Sequence, residues 1–322
     1  MNDLSVQAFS RWLGRGPVAA FLGLALLTGC SKPTDPRVGP AVDAGPKLDG
    51  VRALAEVEAL VALGLRDAGT EGAARAAGHI LNRLTAIGVD AHIEEFLDET
   101  PSGPLSFRNV IGRLPGRGEG LLVIGSHFDT RRGIGDGFQG ANDSGSSTGL
   151  LLELARVLAK GPVLGPEIWF AFFDGEESQI SYGPKDGLHG SRKLAGDLVS
   201  AGRVPDVLAV LVLDMIGDRN LTVTMPRNVT PHLLSLVFDA ARAEQVRNQF
   251  VLSSSSILDD HAPFLDRGLP ALVWIDFEYG QRSGGNEYWH TPEDTVDKLS
   301  AESLDIVGRV ALRTVRRLSG IP

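Results

Sequence analysis

Two adjacent glutamates, Glu176 and Glu177, follow an apolar, aromatic run that begins at Ile168. The run predicts a buried strand, and the Asp174-Gly175 break places both carboxylates at its carboxyl end. Open α/β sheets bind their ligands at this end of the strands. Neighbouring carboxylates repel each other unless a cation or a proton takes up their charge. The pair indicates either a solvated acidic turn or a site where one glutamate holds a cation and the other transfers a proton.

Other imidazole and carboxylate groups lie at or just after the ends of predicted strands, or on the loops beside them: His127, Asp129, Asp143, Asp214 and His290. Because the carboxyl ends of parallel strands meet at one edge of a sheet, we expect these side chains to converge on the glutamate pair. Zinc takes histidine nitrogen and carboxylate oxygen as ligands and keeps one position open for catalysis. The set therefore predicts a catalytic zinc site.

Each of these residues also has a purely structural alternative. His127 can be a histidine of the core, Asp143 the N-cap of the helix that follows, and Asp214 the cap of a turn. His290 can be an ordinary loop histidine. Their joint placement at one edge of the sheet favours the metal site over this set of separate explanations.

The segments that position these residues alternate between helical and extended patterns. Apolar residues recur at helical spacing in 51–66, 73–87, 146–160, 191–200, 231–243, 261–267 and 299–318. Alternating or continuous apolar runs predict strands at 89–96, 107–114, 121–125, 168–173, 207–215 and 269–275. This order predicts a single α/β domain, with a mostly parallel twisted central sheet and helices on both faces.

Composition limits the function. An apolar content of 43% and a charged content of 22% are those of a globular protein with a large core. The net charge of −9 argues against nucleic acid as a partner, because phosphate binding needs clustered Lys and Arg. The chain has one cysteine, so no intrachain disulfide can form and a zinc site made of thiolates is excluded.

The N-terminal residues have the pattern of a secretion signal. Arg11 and Arg15 precede an apolar run, 18–27, that is too short to span a bilayer. The run ends in Leu27-Thr28-Gly29-Cys30, which resembles a bacterial lipoprotein cleavage site. The alternative is a free cysteine behind an ordinary signal peptide.

This pattern predicts three parts of the chain. Residues 1–29 are a lipoprotein signal peptide, and residues 30–50 are the lipidated Cys30 and a flexible tether rich in Pro and Gly. Residues 51–322 are the catalytic α/β domain. We expect the mature protein to be anchored by lipid in the bacterial cell envelope, on a periplasmic or extracellular face.

The order of the chemical motifs resembles the M28-type clan of zinc-dependent aminopeptidases from about Val51 to the C-terminus. The matching motifs are His127-x-Asp129, Gly140-Ala141-Asn142-Asp143-Ser144, Glu176-Glu177, Asp214 and His290. The resemblance implies the phosphorylase/hydrolase-like fold of zinc exopeptidases.

Three features make the chain more similar to the glutaminyl cyclase branch of this clan. The segment between Glu177 and Gly190-Ser191-Arg192 is long, as in the cyclases. The run from Asp259 to Pro270, which begins Asp259-Asp260-His261, is close to a cyclase motif. Trp289 precedes the histidine ligand, where many peptidases have another aromatic residue.

The resemblance also implies a role for each site residue. Asp143, Glu177 and His290 would bind one zinc ion, and Glu176 would be the general acid and base. Asp214 and Asp259 would form a catalytic acidic pair near the substrate amine. Three residues would contact substrate: Trp289, His261 and Tyr182, the last of which stands where the animal cyclases have tryptophan.

The function implied is conversion of the N-terminal glutamine of peptides or proteins to pyroglutamate, with release of ammonia, by a monomeric enzyme. The alternative is an aminopeptidase with two zinc ions, in which His127 and Asp214 bind the second ion and Asp143 bridges the two. A catalytically inactive binding module is a third reading, and the complete set of acids argues against it.

Overall fold

A computed structural model describes residues 45–282 and 284–320. Its α-helices are α1 (Gly50–Val61), α2 (Glu71–Ala86), α3 (Ser147–Ala159), α4 (His189–Ser200), α5 (Pro231–Ala243), α6 (Ala262–Leu265) and α7 (Ala301–Leu318). Its strands are β1 (Asp90–Thr100), β2 (Gly103–Leu114), β3 (Leu121–His127), β4 (Glu167–Phe173), β5 (Val207–Asp214), β6 (Val223–Met225), β7 (Phe250–Leu252) and β8 (Ala271–Ile275). None of the helices in these residues is long and apolar enough to cross a bilayer.

The eight strands form one sheet in the order β1-β2-β4-β3-β5-β8-β6-β7. The four central strands, β4, β3, β5 and β8, run parallel to one another. Antiparallel pairs occur only toward the two edges of the described sheet, where β1 pairs with β2, β2 with β4, and β6 with β8. The predicted α/β fold with a mostly parallel sheet is confirmed.

Helices cover both faces of this sheet. In β3, Leu122 and Ile124 join the larger apolar core, which also contains residues of α1, α2, α3, α5 and α7. Leu121 and Val123 point into a smaller core shared with α4 and α6. Because successive side chains of a strand point to opposite faces, a strand covered on both sides needs an apolar residue at every position. The central strands therefore read as continuous apolar runs in the sequence.

The N-terminal helix α1 packs closely on α3. Val57 of α1 is fully buried, and a Cβ at Gly149 of α3 would lie 2.5 Å from its side chain. A side chain at this position would push the helices apart, so the contact depends on glycine.

The folded domain begins earlier than the predicted boundary at residue 51. Leu48 is buried in the larger core, and the Asp49 side chain caps α1 by accepting hydrogen bonds from the backbone N–H groups of Val51 and Arg52. Residues 45–50 of the predicted tether therefore belong to the fold. The predicted signal peptide and Cys30 lie outside the described residues.

Candidate metal centre and active site

Three strands deliver polar side chains to the carboxyl edge of the sheet. His127 is the last residue of β3, and Asp214 is the last residue of β5. Glu176 and Glu177 follow β4 after Gly175, whose φ of 75° lies in the left-handed region. A Cβ there would meet the ring of Phe107 at 2.3 Å. The turn that presents both glutamates thus requires glycine.

Asp143, Glu177 and His290 form a first group of side chains that could hold a metal ion, named here the first metal-binding group. Nε2 of His290 lies 3.2 Å from Oδ2 of Asp143 and 3.0 Å from Oε1 of Glu177. Oε2 of Glu177 is buried and has no hydrogen-bond partner among the described residues, which leaves it free to bind a cation. One imidazole nitrogen and two carboxylates at this spacing fit the donor set of a catalytic zinc site.

His127 and Asp214 form a second group with the same Asp143. Nε2 of His127 lies 3.2 Å from Oδ1 of Asp143 and 3.3 Å from Oδ1 of Asp214. Its Nδ1 lies 3.3 Å from Oδ1 of Asp129, a contact that orients the ring toward the other two carboxylates. Asp143 therefore stands between two groups that could each hold a metal ion.

The charges of the first group favour a bound cation. Burial, together with repulsion from Asp143, raises the pKa of Glu177 to about 7. Burial opposes a charge on His290, but its hydrogen bonds to Asp143 and Glu177 outweigh this and raise its pKa to about 9. Buried negative charge is costly unless it is neutralised. In the protein alone a proton on His290 provides this neutralisation, and a metal ion can take its place.

Glu176 lies beside these groups and belongs to neither of them. Burial raises the pKa of its carboxyl well above the usual range. The hydroxyl of Tyr182 donates to its two oxygens, at 3.0 and 3.1 Å. The backbone N–H groups of Glu176 and Glu177 donate to Asp129, at 3.1 and 3.2 Å, which fixes the turn. A positioned carboxyl with a raised pKa is suited to general acid and base catalysis.

Asp259 adds another buried carboxyl, on the loop before α6. Burial and the nearby charge of Asp214 raise the pKa of Asp259 well above its usual range. Its Oδ2 has no hydrogen-bond partner within the described part of the chain. Two buried carboxyls that repel each other favour a state in which one of them is protonated.

His261 and Trp289 differ in their relation to the site. His261 is fully buried, and its Nε2 lies 3.1 Å from the backbone carbonyl oxygen of Asn228. Burial lowers the pKa of His261 to about 4, which favours a neutral ring. Contact of His261 with substrate stays a prediction, and its burial favours a structural role. Trp289 is partly exposed and stacks on His290, with ring centroids 4.1 Å apart.

Arg66 holds the loops around Asp143, and sequence reasoning missed it. Its guanidinium is fully buried and donates to three backbone carbonyls, those of Phe128 (2.8 Å), Gln139 (3.1 Å) and Gly140 (2.8 Å). The predicted first helix extended to Arg66, but α1 ends at Val61, and the chain turns so that Arg66 can reach these carbonyls. Nothing in the sequence distinguishes this arginine from a surface arginine.

Asp294 holds the same segment from the other side. Its carboxylate accepts hydrogen bonds from the backbone N–H groups of Asn142 and Asp143, at 2.7 and 3.2 Å. Asp143 lies within the segment Ala141–Ser146, before the first residue of α3, and it is not the N-cap of that helix. Asp294 follows shortly after His290 in the sequence, and this nearness to a predicted site residue is a signal that could have identified it.

The sequence matches the family model described as Peptidase family M28 over residues 109–315, a span that includes both metal-binding groups. The chain belongs to peptidase family M28. The donor set and the family together fit a zinc site.

Relatives of this M28 chain carry two kinds of names. The glutaminyl-peptide cyclotransferase of Drosophila melanogaster is 29% identical over 262 residues, which is 72% of each chain. The crystal structure of a glutaminyl cyclase from an Acidobacteriales bacterium is 36% identical, with a TM-score of 0.82 over 88% of this chain and 98% of that one. A Zn-dependent exopeptidase from Parabacteroides distasonis is 25% identical, with a TM-score of 0.74 over 86% of this chain and 99% of that one.

Replacing Tyr182 by phenylalanine tests its contact with Glu176 in this M28 site. The variant loses a hydrogen bond to a carboxylate, so we expect kcat to fall about ten-fold with little change in KM. Steady-state kinetics on a glutamine-initiated peptide measures the effect. Tyr288→Phe is the matched control, because no described residue hydrogen-bonds its hydroxyl. Equal kinetics in the two variants would show that the Tyr182 hydroxyl does not position Glu176.

Proposed function

We propose that this M28 chain is a zinc-dependent glutaminyl-peptide cyclotransferase, which converts N-terminal glutamine to pyroglutamate and releases ammonia. The observation that carries the proposal is the likeness to the Acidobacteriales glutaminyl cyclase over nearly the whole domain. The buried carboxyl of Glu176 supports it, because cyclisation requires a proton to move from one nitrogen of the glutamine to another.

We propose a single zinc ion, bound by Asp143, Glu177 and His290. When bound, zinc supplies a Lewis acid for the γ-carboxamide oxygen of the substrate and stabilises the negative charge that develops there. The support for this group is the buried Oε2 of Glu177, which has no other partner among the described residues.

Glu176 moves the proton in this mechanism. It accepts a proton from the α-amine of the substrate as the amine nitrogen attacks the γ-carboxamide carbon. A new N–C bond forms, the bond to the carboxamide nitrogen breaks, and Glu176 gives its proton to the departing ammonia. The hydroxyl of Tyr182 keeps the carboxyl oriented during both transfers. The reaction consumes no water.

The remaining polar residues bind the substrate. The acidic pair Asp214 and Asp259 holds the α-amine close to Glu176, because a carboxylate oxygen accepts hydrogen bonds from the amine N–H groups. Trp289 forms an aromatic wall beside His290. His261 has no part in this proposal.

A specific observation favours a second candidate, the aminopeptidase with two zinc ions. The second group, His127, Asp143 and Asp214, is complete and has metal-ligand spacing. In that case Glu176 would activate a water molecule for hydrolysis of the first peptide bond.

One incubation separates the two functions. We expect the purified domain to convert a glutamine-initiated peptide to a product lighter by one ammonia, and to contain one zinc ion per chain. Mass spectrometry of the product and metal analysis of the protein measure both quantities. Loss of the first residue, together with two zinc ions per chain, would establish the aminopeptidase instead.

We also propose that Cys30 carries a lipid anchor and that the enzyme acts as a monomer in the bacterial cell envelope, on peptides at a periplasmic or extracellular face. The support is the Leu27-Thr28-Gly29-Cys30 pattern. We expect Cys30→Ala to remain unprocessed and to lose lipid labelling, as measured by incorporation of radiolabelled fatty acid in cells. Processing and membrane attachment equal to those of the wild type would contradict the anchor.

A further inference from the structure

A cavity of about 310 Å³ lies between α4 and one face of the strands β1, β2 and β4, away from the metal-binding edge of the sheet. Its apolar wall consists of Ile111, Leu194 and Leu198. Its polar wall includes Glu94 and Arg113, and the ring of Trp169 lies between the two walls. None of these residues takes part in the proposed cyclisation.

The guanidinium of Arg113 has no polar partner in this cavity. Its central carbon lies 4.3 Å from the centroid of the Trp169 ring, a cation–π contact that does not supply a hydrogen-bond acceptor to its N–H groups. Nε of Arg113 is buried without a hydrogen bond, and no carboxylate of the described residues pairs with the side chain. Buried arginine donors are normally paired.

The other cationic side chains around the cavity already have ion-pair partners, while Oε2 of Glu94 is buried without a hydrogen bond. Arg203 pairs with Asp206 at 2.6 Å and with Glu167 at 3.3 Å. Lys193 lies between Glu94 and Asp197 and pairs with both. Arg113 is therefore the one Lys or Arg around the cavity that has no ion pair among the described residues.

We propose that this cavity, which we name the Trp169 cavity, binds a small organic carboxylate with an apolar body. The carboxylate pairs with the edge of the Arg113 guanidinium, where two parallel N–H donors match its two oxygens. The apolar part packs between Trp169 and the leucines of α4. The volume lies at the lower end of the range for ligand pockets, so the site takes a compound about the size of an acylated amino acid. This inference does not depend on the proposed cyclase function.

Isothermal titration with N-acetylleucine tests the site, and N-acetylleucinamide is the matched neutral probe. We expect saturable binding of the acid with a Kd of roughly 1 mM, and binding of the amide at least about ten-fold weaker. Arg113→Met keeps the length of the side chain and removes its charge, so it should weaken binding of the acid at least about ten-fold. Arg117→Met, an equal charge change at an exposed arginine, should leave binding unchanged.

Nuclear magnetic resonance on the wild type locates the bound acid without relying on a variant. The indole N–H of Trp169, which donates to Glu167 at 2.7 Å, should shift on titration with the acid and remain unchanged with the amide. Binding that leaves this signal unmoved, or that persists equally in a folded Arg113→Met, would place the acid at another site and overturn the proposal. Equal affinity for the acid and the amide would overturn it as well.

Discussion

Glu176→Gln is expected to lower kcat by about 10²–10⁴-fold while the protein keeps its zinc. Glutamine has nearly the same shape, but its amide cannot take the proton from the substrate amine or return it to ammonia. Because Glu176 belongs to neither metal-binding group, the metal should stay bound. Ammonia release from a glutamine-initiated peptide measures kcat, and elemental analysis of the purified protein measures zinc.

The same substitution at the next residue is the matched control for Glu176→Gln. Glu177→Gln removes one ligand carboxylate of the first metal-binding group, so it should lower zinc content as well as activity. Turnover retained in Glu176→Gln would contradict its role in proton transfer. Equal loss of zinc in both variants would show that Glu176 acts through the metal centre.

His290→Ala is expected to abolish activity and to weaken zinc binding more than about 100-fold. Loss of a residue that only orients a metal ligand weakens binding by up to about 100-fold, and loss of the ligand itself should cost more. His290 is the one nitrogen donor of the first metal-binding group, and its Nε2 faces both carboxylates. Because a bound ion stabilises the folded state, the melting temperature in excess zinc should also fall below that of the wild type. Competition with a chelating dye measures the affinity.

Backbone strain must be separated from ligand loss at His290. Its φ of 54° lies in the left-handed region, which alanine tolerates poorly and asparagine tolerates better. His290→Asn should therefore lose zinc as fully as His290→Ala with a smaller loss of stability. His232→Ala, on the exposed side of α5, should keep both zinc and activity. Normal zinc affinity in His290→Asn would rule out the imidazole as a ligand.

The central strands, and the polar side chains at their carboxyl ends, could be predicted because a strand that is buried on both faces appears in the sequence as a continuous apolar run. A strand such as β4 must be apolar at nearly every position, and the first polar residues after it then stand out. The sequence identifies Glu176 and Glu177 in this way, and the same pattern identifies His127 and Asp214. The parallel arrangement then brings these ends to one edge without further information.

Features that depend on tertiary contacts could not be predicted from local pattern. The strands β6 and β7 have three residues each, too few for a period to be recognised. The burial of Arg66 and His261 results from loops that meet far along the chain. The resemblance implies that Tyr182 contacts substrate, but its hydrogen bonds to Glu176 depend on how the intervening loop folds back.

Arg66 and α1 also define where this chain can be cut for expression. The family match begins at residue 109, within β2. A protein that started there would lack its antiparallel neighbour β1, expose the core surface that α1 covers, and lose the guanidinium that holds three loop carbonyls. The segment that matches the family model is thus smaller than the described domain, and we expect a stable protein to begin no later than Leu48, which is buried in the larger core.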